Sequence, residues 1–225
     1  MIKYITGDIH DVIKDIEDNS IDFLYTNPPF GITEAKWDKP LDWDSLWIEI
    51  WRVMKPKGIV ALHCSMPFTY TLIKSQRPKY HYCIKKSNPT GFLFSKKQPM
   101  RDIEEVLIYY KKAGTYNIQM RGDEERKYPD GSDKNGGNAY YSRRKAVKAK
   151  TYKGFFPTTT LENKLKKRGG KTISDDIITY FIKTYSNEGD TILDMCCHNK
   201  VVGNIAEPLN RNYIGVDING VNDET

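Results

Sequence analysis

Asn27-Pro28-Pro29-Phe30 is the densest group of chemistry-bearing atoms in the sequence. Two successive prolines fix φ and remove two backbone donors, so the turn they make is stiff and cannot pair in a sheet. Pro28 also confines Asn27 to extended geometry. Such a turn presents an amide oxygen, a carbonyl and an aromatic ring in fixed relation. The Asn27 amide oxygen and the Pro28 carbonyl suit the two hydrogens of an exocyclic amine. The Phe30 ring suits the face of a nucleobase turned out of its stack. The four residues read equally as a plain proline turn after a strand, and the rest of the chain has to decide.

Three aspartates occupy comparable places. Thr191-Ile-Leu-Asp194 and Asn212-Tyr-Ile-Gly-Val-Asp217 are short apolar strands that each end in a carboxylate, and Asp8 follows a strand at Ile2 to Ile5. Asp217 lies about twenty residues beyond Asp194, the spacing at which a βαβ unit delivers an acid to ribose hydroxyls. In such units the loop after the first strand is glycine-rich, which lets backbone approach the ligand. Here it runs Met195-Cys196-Cys197-His198-Asn199-Lys200, and only Gly203 is left of the pattern. On this loop alone an ordinary strand-turn-helix is the better reading. Cys196-Cys197-His198 also invites zinc. Adjacent cysteines cannot easily aim both sulfurs at one tetrahedral ion, and we assign no metal.

The elements that must position these groups follow from periodicity. Ile9, Val12, Ile13 and Ile16 have helical spacing over 9–18, and Ile21 to Tyr25 is a buried strand, giving strand-helix-strand. A loop over 31–44 carries Trp37 and Trp43, equally suited to core or to pocket wall. A helix is expected over 45–54, ended by Lys55-Pro56-Lys57-Gly58, then a strand over 59–64 and a helix over 66–75. Strands over 80–85 and 106–111, flanking a loop rich in Lys, Pro and Gly, predict that the sheet turns antiparallel there. Ser174 caps a helix carrying Ile177, Ile178, Phe181 and Ile182, and a short helix includes Asn204 to Leu209.

The 225 residues carry a net charge of +6, which admits an anionic partner without requiring one. The four cysteines lack CxxC spacing, and no secretory signal or membrane-length apolar run is present, so the expectation is a reduced cytoplasmic protein (nuclear in a eukaryotic host), not a secreted one. From about Lys111 to Pro157 apolar periodicity disappears. Within it Arg143, Arg144, Lys145, Lys148 and Lys150 lie between Tyr141 and Tyr152, with Lys153 next, and no acid interrupts them. A solvated charge run and a nucleic-acid contact surface both fit this composition.

Taken together the motifs resemble the β class of DNA amino-methyltransferases, in which the catalytic tetrapeptide precedes the cofactor motif. The resemblance extends over most of the chain. Asn19 to Gly31 resembles the catalytic motif, Leu46 to Gly58 the passage after it, Ser87 to Gly91 and Arg101 to Tyr110 the central segment, and Tyr185 to Asp194 with Asn210 to Asp217 the cofactor unit. It implies an α/β fold: a circularly permuted, Rossmann-like methyltransferase sheet, mostly parallel with an antiparallel strand, plus a basic insertion. It implies one domain over 1–225, with 112–157 as a target-recognition insertion.

The function implied is methyl transfer from S-adenosylmethionine to the exocyclic amine of a flipped base in double-stranded DNA, as in restriction-modification. By the family's habit, Asn rather than Asp or Ser at position 27 favours adenine N6. Cytosine N4, RNA, and a silent nucleic-acid-binding homologue remain the alternatives. The implied roles are catalysis by Asn27, Pro28, Pro29 and Phe30, and cofactor binding by Asp8, Asp194, Met195, Cys196, Gly203, Asp217, Lys171 and Thr172. DNA contact falls to Arg143, Arg144, Lys145, Lys148 and Lys150. A homodimer or a partner subunit is left open. The sequence departs from the family pattern in three places: the glycine-poor loop after Asp194, the Arg168-Gly-Gly-Lys-Thr172 segment, and the short stretch after Asp217.

Overall fold

The computed structural model describes residues 1–128, 150–164 and 173–221. Its elements are β1 (Ile2–Thr6), α1 (Ile9–Val12) with a 3-10 turn at Ile13–Asp15, β2 (Ile21–Thr26), α2 (Trp43–Val53), β3 (Met54–Cys64), α3 (Phe68–Ser75), β4 (Tyr80–Thr90), β5 (Arg101–Tyr109), β6 (Arg121–Tyr128), β7 (Lys150–Phe155), β8 (Thr160–Asn163), α4 (Asp175–Tyr185), β9 (Thr191–Asp194), α5 (Val201–Ala206) and β10 (Asn212–Asp217). Contacts divide the chain into two compact units, 1–117 with 159–225, and 118–158.

The larger unit is one eight-stranded sheet in the order β1-β10-β9-β2-β3-β5-β4-β8. Every neighbouring pair is parallel except β3–β5 and β4–β5, so β5 alone runs against the rest. The predicted reversal lies where the Lys-rich loop placed it. Alternation along the central strands feeds two cores. Leu24, Val60, Leu62 and Cys64 join α2 in one, while Phe23, Tyr25, Ile59 and Ala61 join α4 in the other. Strands covered on both faces read as continuous apolar runs, which is why β2 and β3 were recognisable. α2 buries Trp43, Leu46, Trp47, Ile50 and Val53, and α4 buries Ile177, Ile178, Phe181, Ile182 and Tyr185. Each set is one helical stripe.

Some boundaries differ from the sequence reading. α1 is four residues long and tightens into the 3-10 turn, well short of position 18. α2 starts two residues early because Asp42 caps it, accepting from the Asp44 and Ser45 N–H groups. That start draws Trp43 into the core, whereas Trp37 is 69% exposed. Ser174 stands at the cap position of α4, but its side chain makes no capping bond.

The smaller unit is an antiparallel pair, β6 with β7, and its register shifts between Arg121 and Glu125. Gly154, at φ +85°, sits where a β-carbon would collide with the carbonyls of Arg121 and Gly122. The Arg126 guanidinium lies 3.6 Å from the centre of the Phe155 ring, and Lys153 pairs with Asp123 at 3.4 Å. Among the described residues, no helix is long and apolar enough to cross a membrane.

Candidate active site

The strand order brings together groups that are far apart in sequence. β1, β10, β9 and β2 are adjacent and parallel, so Asp8, Asp217, Asp194 and Asn27 all follow the carboxyl ends of neighbouring strands. Three strand spacings separate the outer two, about 14 Å. Ligands of open α/β sheets lie along this edge.

At the β2 end Asn27 is exposed, although the four residues before it and Pro28 after it are buried. The chain is thus anchored on both sides of one presented side chain. Phe30, expected as a free stacking platform, has one face on Phe68, with ring centres 5.2 Å apart and planes 20° from parallel. Beyond it the loop folds around Asp38. Asp38 Oδ1 accepts from the Gly31 N–H at 2.7 Å, and Oδ2 accepts from the Ile32 and Thr33 N–H groups and the Thr33 hydroxyl at 3.0, 2.8 and 2.7 Å. Burial by itself would raise the Asp38 pKa. The Thr33 hydroxyl and these three N–H groups outweigh it and hold the carboxyl below its ordinary range. Behind β2 the Tyr25 hydroxyl meets His63 Nε2 at 2.8 Å, and His63 Nδ1 meets Glu104 at 2.8 Å. This buried chain ties β2, β3 and β5 together at the level of Asn27.

Asp194 is the hub of the neighbouring strand end. The Thr26 hydroxyl donates to its Oδ1 at 2.7 Å, the Cys196 N–H to the same oxygen at 3.2 Å, and the Tyr213 hydroxyl to Oδ2 at 3.2 Å. Burial pushes its carboxyl up to about 6, and these three donors lower it only in part. The loop that follows is built from side chains. Met195 is buried in the α2 core and Cys197 in the α4 core, on opposite faces of the sheet, while Cys196 packs beside Met195. Burial and the adjoining Asp194 push the Cys196 thiol well up, which keeps it neutral and unreactive. The Cys197 N–H donates to the Val216 carbonyl at 2.9 Å, and His198 takes a positive φ of 47°.

Asp217 accepts the His198 N–H on Oδ2 at 3.1 Å and the Asn219 N–H on Oδ1 at 2.9 Å, so it braces two loops at once. Asp8 caps α1 through Oδ1, accepting the His10 N–H and meeting His10 Nδ1, both at 2.9 Å. His10 Nε2 is buried with no hydrogen-bond partner among the described residues. Gly203 does not line this edge. It lies in α5, where any side chain would collide with the Tyr4 hydroxyl and the Tyr213 ring, and its role is close packing. Met195 likewise faces a core and presents no side chain to a ligand.

Lys171, Thr172, Arg143, Arg144, Lys145 and Lys148 fall outside the described residues. Lys150 opens β7, exposed and opposite Tyr128. The sequence reading missed Thr26, Tyr213, Asp38, and the Tyr25–His63–Glu104 chain. Thr26 directly precedes the tetrapeptide at a strand end, which is a signal of sorts. The others are joined only by folding.

The arrangement fits a cationic amino acid with a nucleoside attached. Carboxylates stand at three adjacent strand ends, and a buried imidazole nitrogen beside Asp8 lacks a partner among the described residues. Comparison with known proteins agrees. A DNA methylase family model, for N6 and N4 methylation, matches residues 21–221. Type II methyltransferase M.HpaI of Haemophilus parainfluenzae is 24% identical over 92% of this chain and 67% of its own length. M.BamHI of Bacillus amyloliquefaciens is 25% identical over 96% of this chain and 54% of its own. This chain therefore spans about half to two thirds of the curated relatives it matches. The structure of M1.HpyAVI in complex with SAM superimposes with a TM-score of 0.58 at 19% identity, over 96% of this chain and 92% of that one. With the tetrapeptide and both acidic strand ends inside the matched span, the chain belongs to the N6/N4 DNA methylase family.

Proposed function

We propose that this protein methylates the exocyclic amine of a base flipped out of double-stranded DNA, with adenine N6 as the target and S-adenosylmethionine as donor. The observation that carries the reading is Asn27, exposed at a strand end one strand from Asp194 and two from Asp217. Bound S-adenosylmethionine would supply an electrophilic methyl group. Asp217 would orient ribose hydroxyls, Asp8 and His10 the adenine edge, and Asp194 the cationic amino-acid end. Asn27 Oδ1 and the Pro28 carbonyl accept the two amine hydrogens, which draws the nitrogen lone pair out of ring conjugation and aims it at the donor. Phe30 offers its face away from Phe68 to the base. Positioning does most of the work, since the amine attacks as a neutral nucleophile and sheds its proton as it becomes cationic.

The unit 118–158 acts as a target-recognition module, with Lys150 and the basic residues of 143–148 on phosphates, and the protein works in the cytoplasm. The acid-free basic run from Arg143 to Lys153 supports this. Incubation with labelled donor and duplex DNA, followed by identification of the modified nucleoside, tests the whole assignment. N6-methyladenine is the expected product. N4-methylcytosine would move the target base, and label in RNA alone would overturn the reading.

A further inference from the structure

The two halves of the site meet along one seam, between β2 and β9. Asn27 stands on the β2 side of it, and Asp194, Asp217 and Asp8 stand on the other. A methyl group passing from a donor on the acidic strand ends to an amine at Asn27 has to cross it. Backbone pairing holds this seam only in its middle. The register pairs are Phe23 with Ile192 and Leu24 with Leu193, and they stop short of Thr26, the last residue of β2. On their far sides both strands are paired to the end: Thr26 with Leu62 of β3, and Asp194 with Gly215 of β10. Each half is therefore a continuous ladder up to the carboxyl edge, while the ladder between the halves stops lower down.

Side chains close the seam where the ladder leaves it. At its amino end Asp22 Oδ2 accepts the Thr191 N–H at 2.9 Å. At its carboxyl end the Thr26 hydroxyl donates to Asp194 Oδ1 at 2.7 Å, and both residues are buried. The Cys196 N–H and the Tyr213 hydroxyl, which also donate to Asp194, come from its own half; Thr26 comes from β2. Burial raises the Asp194 carboxyl, and the Thr26 hydroxyl opposes that more than any other group. A β-branched side chain has little χ1 freedom, and one peptide bond joins Thr26 to Asn27. Whatever holds the Thr26 hydroxyl therefore holds the start of the amine-binding turn.

We propose that Thr26 is a positioning residue for methyl transfer: its hydroxyl, held on Asp194, sets the gap between the amine clamp at Asn27 and a donor bound on the β9 side. Transfer needs the amine nitrogen, the methyl carbon and the sulfur in line, with the reacting atoms about 3–3.5 Å apart. The nitrogen lone pair forms the new bond to carbon, the carbon–sulfur pair stays on sulfur, and the nitrogen gives up a proton to water. A shift of about 1 Å at the seam costs on the order of 10²-fold in rate. In this role Thr26 acts through Asp194 and Asn27 rather than on the reacting atoms. The proposal rests on the reading of S-adenosylmethionine as donor and a base amine as acceptor.

Thr26→Val keeps the branched shape and removes the hydroxyl, whereas Thr26→Ser keeps the hydroxyl. Wild type and both variants, each as the whole chain, are compared well below their melting midpoints at about pH 8.5, where Asp194 is ionised. Thr26→Val is expected to lower the turnover number on duplex DNA roughly 10–10²-fold while donor Kd by calorimetry shifts less than about threefold, and Thr26→Ser to stay within about threefold of wild type. Hydrogen exchange gives a second reading that needs no DNA. S-adenosylmethionine is expected to slow exchange in the 195–200 loop of all three proteins. It is expected to slow the turn from Phe30 to Trp37 in wild type and Thr26→Ser but not in Thr26→Val. A Thr26→Val protein that turns over like wild type, a Thr26→Ser protein no better than Thr26→Val, or a turn slowed equally in all three overturns the role. Donor binding lost in step with turnover would mark the bond as merely structural and overturn it too. Slowing of the turn that depends on the Thr26 hydroxyl, in a protein that methylates no DNA, would sink the activity reading and leave the positioning role standing.

Discussion

The two halves of the site are made rigid by opposite means. At the end of β2, covalent structure does the work: two prolines fix the backbone around Asn27, and one buried carboxylate, Asp38, gathers the next turn through four hydrogen bonds. At the end of β9 the loop has side chains where the more permissive glycines are usual, and it is pinned by what those side chains fill. Met195 enters one core and Cys197 the other, while Asp194 and Asp217 take N–H groups of the same loop. A proline turn shows its stiffness in the sequence. A loop pinned through its side chains looks irregular until the cores are known. The glycine-poor loop is therefore a second solution to holding backbone still, consistent with a working cofactor edge.

This contrast can be broken at several points. The largest effect is expected from Asn27→Ala, which removes the proposed amine acceptor and leaves both cores alone. Transfer should fall by roughly 10²–10³-fold while S-adenosylmethionine binding by calorimetry stays within about twofold. Retained turnover would remove Asn27 from catalysis.

Asp194 gives the next largest effect. Its carboxyl is raised by burial to about 6, so the folded state holds a proton that the unfolded chain has already lost between about pH 4 and 6. Its contribution to stability is present below pH 4 and declines as pH rises through 6, by about 3 kcal/mol in all. Asp194→Asn should lack that decline, so its melting midpoint relative to wild type should climb from pH 4 to 8. A cationic donor prefers the ionised carboxylate. In wild type its Kd should therefore rise up to tenfold for each pH unit below 6, and a flat profile would exclude Asp194 from the donor site.

Asp38→Asn should act on the other half alone. The amide offers N–H groups to backbone N–H donors, so the nest loosens at a cost of about 1–3 kcal/mol. The turnover number should drop about tenfold with donor Kd unchanged, measured by steady-state kinetics beside calorimetry. Equal losses in both would mean that the halves are not independent. Smallest of all, Lys150→Gln should weaken DNA binding only a few-fold and lower the salt slope by about one.

Much of this fold was legible because its signals are local. Apolar runs closed by acids marked β9 and β10, and helical stripes marked α2 and α4. What escaped depends on distance. The Thr26–Asp194 bond joins residues 168 positions apart. His63 and Glu104 were ordinary strand residues until β3 and β5 paired. Gly203 looked like the remnant of a ligand loop because packing against Tyr4 and Tyr213 leaves no trace in spacing. β6 and β7 were read as structureless because neither buries a face, so no period of two was written into them.

The strand order has a further consequence for how the molecule comes into being. Among the described strands β1 comes earliest in the sequence, yet the one it pairs with is β10, far along the chain. β9, also late, is the partner that separates β10 from β2 and meets β2 through just two register pairs, Phe23 with Ile192 and Leu24 with Leu193. Until β9 and β10 leave the ribosome, β1 lacks that ladder and β2 has a bare edge beside Asn27. Such non-local pairing is slow to close. The Asn27 turn is therefore in place long before the strand ends that carry Asp194 and Asp217 have docked beside it.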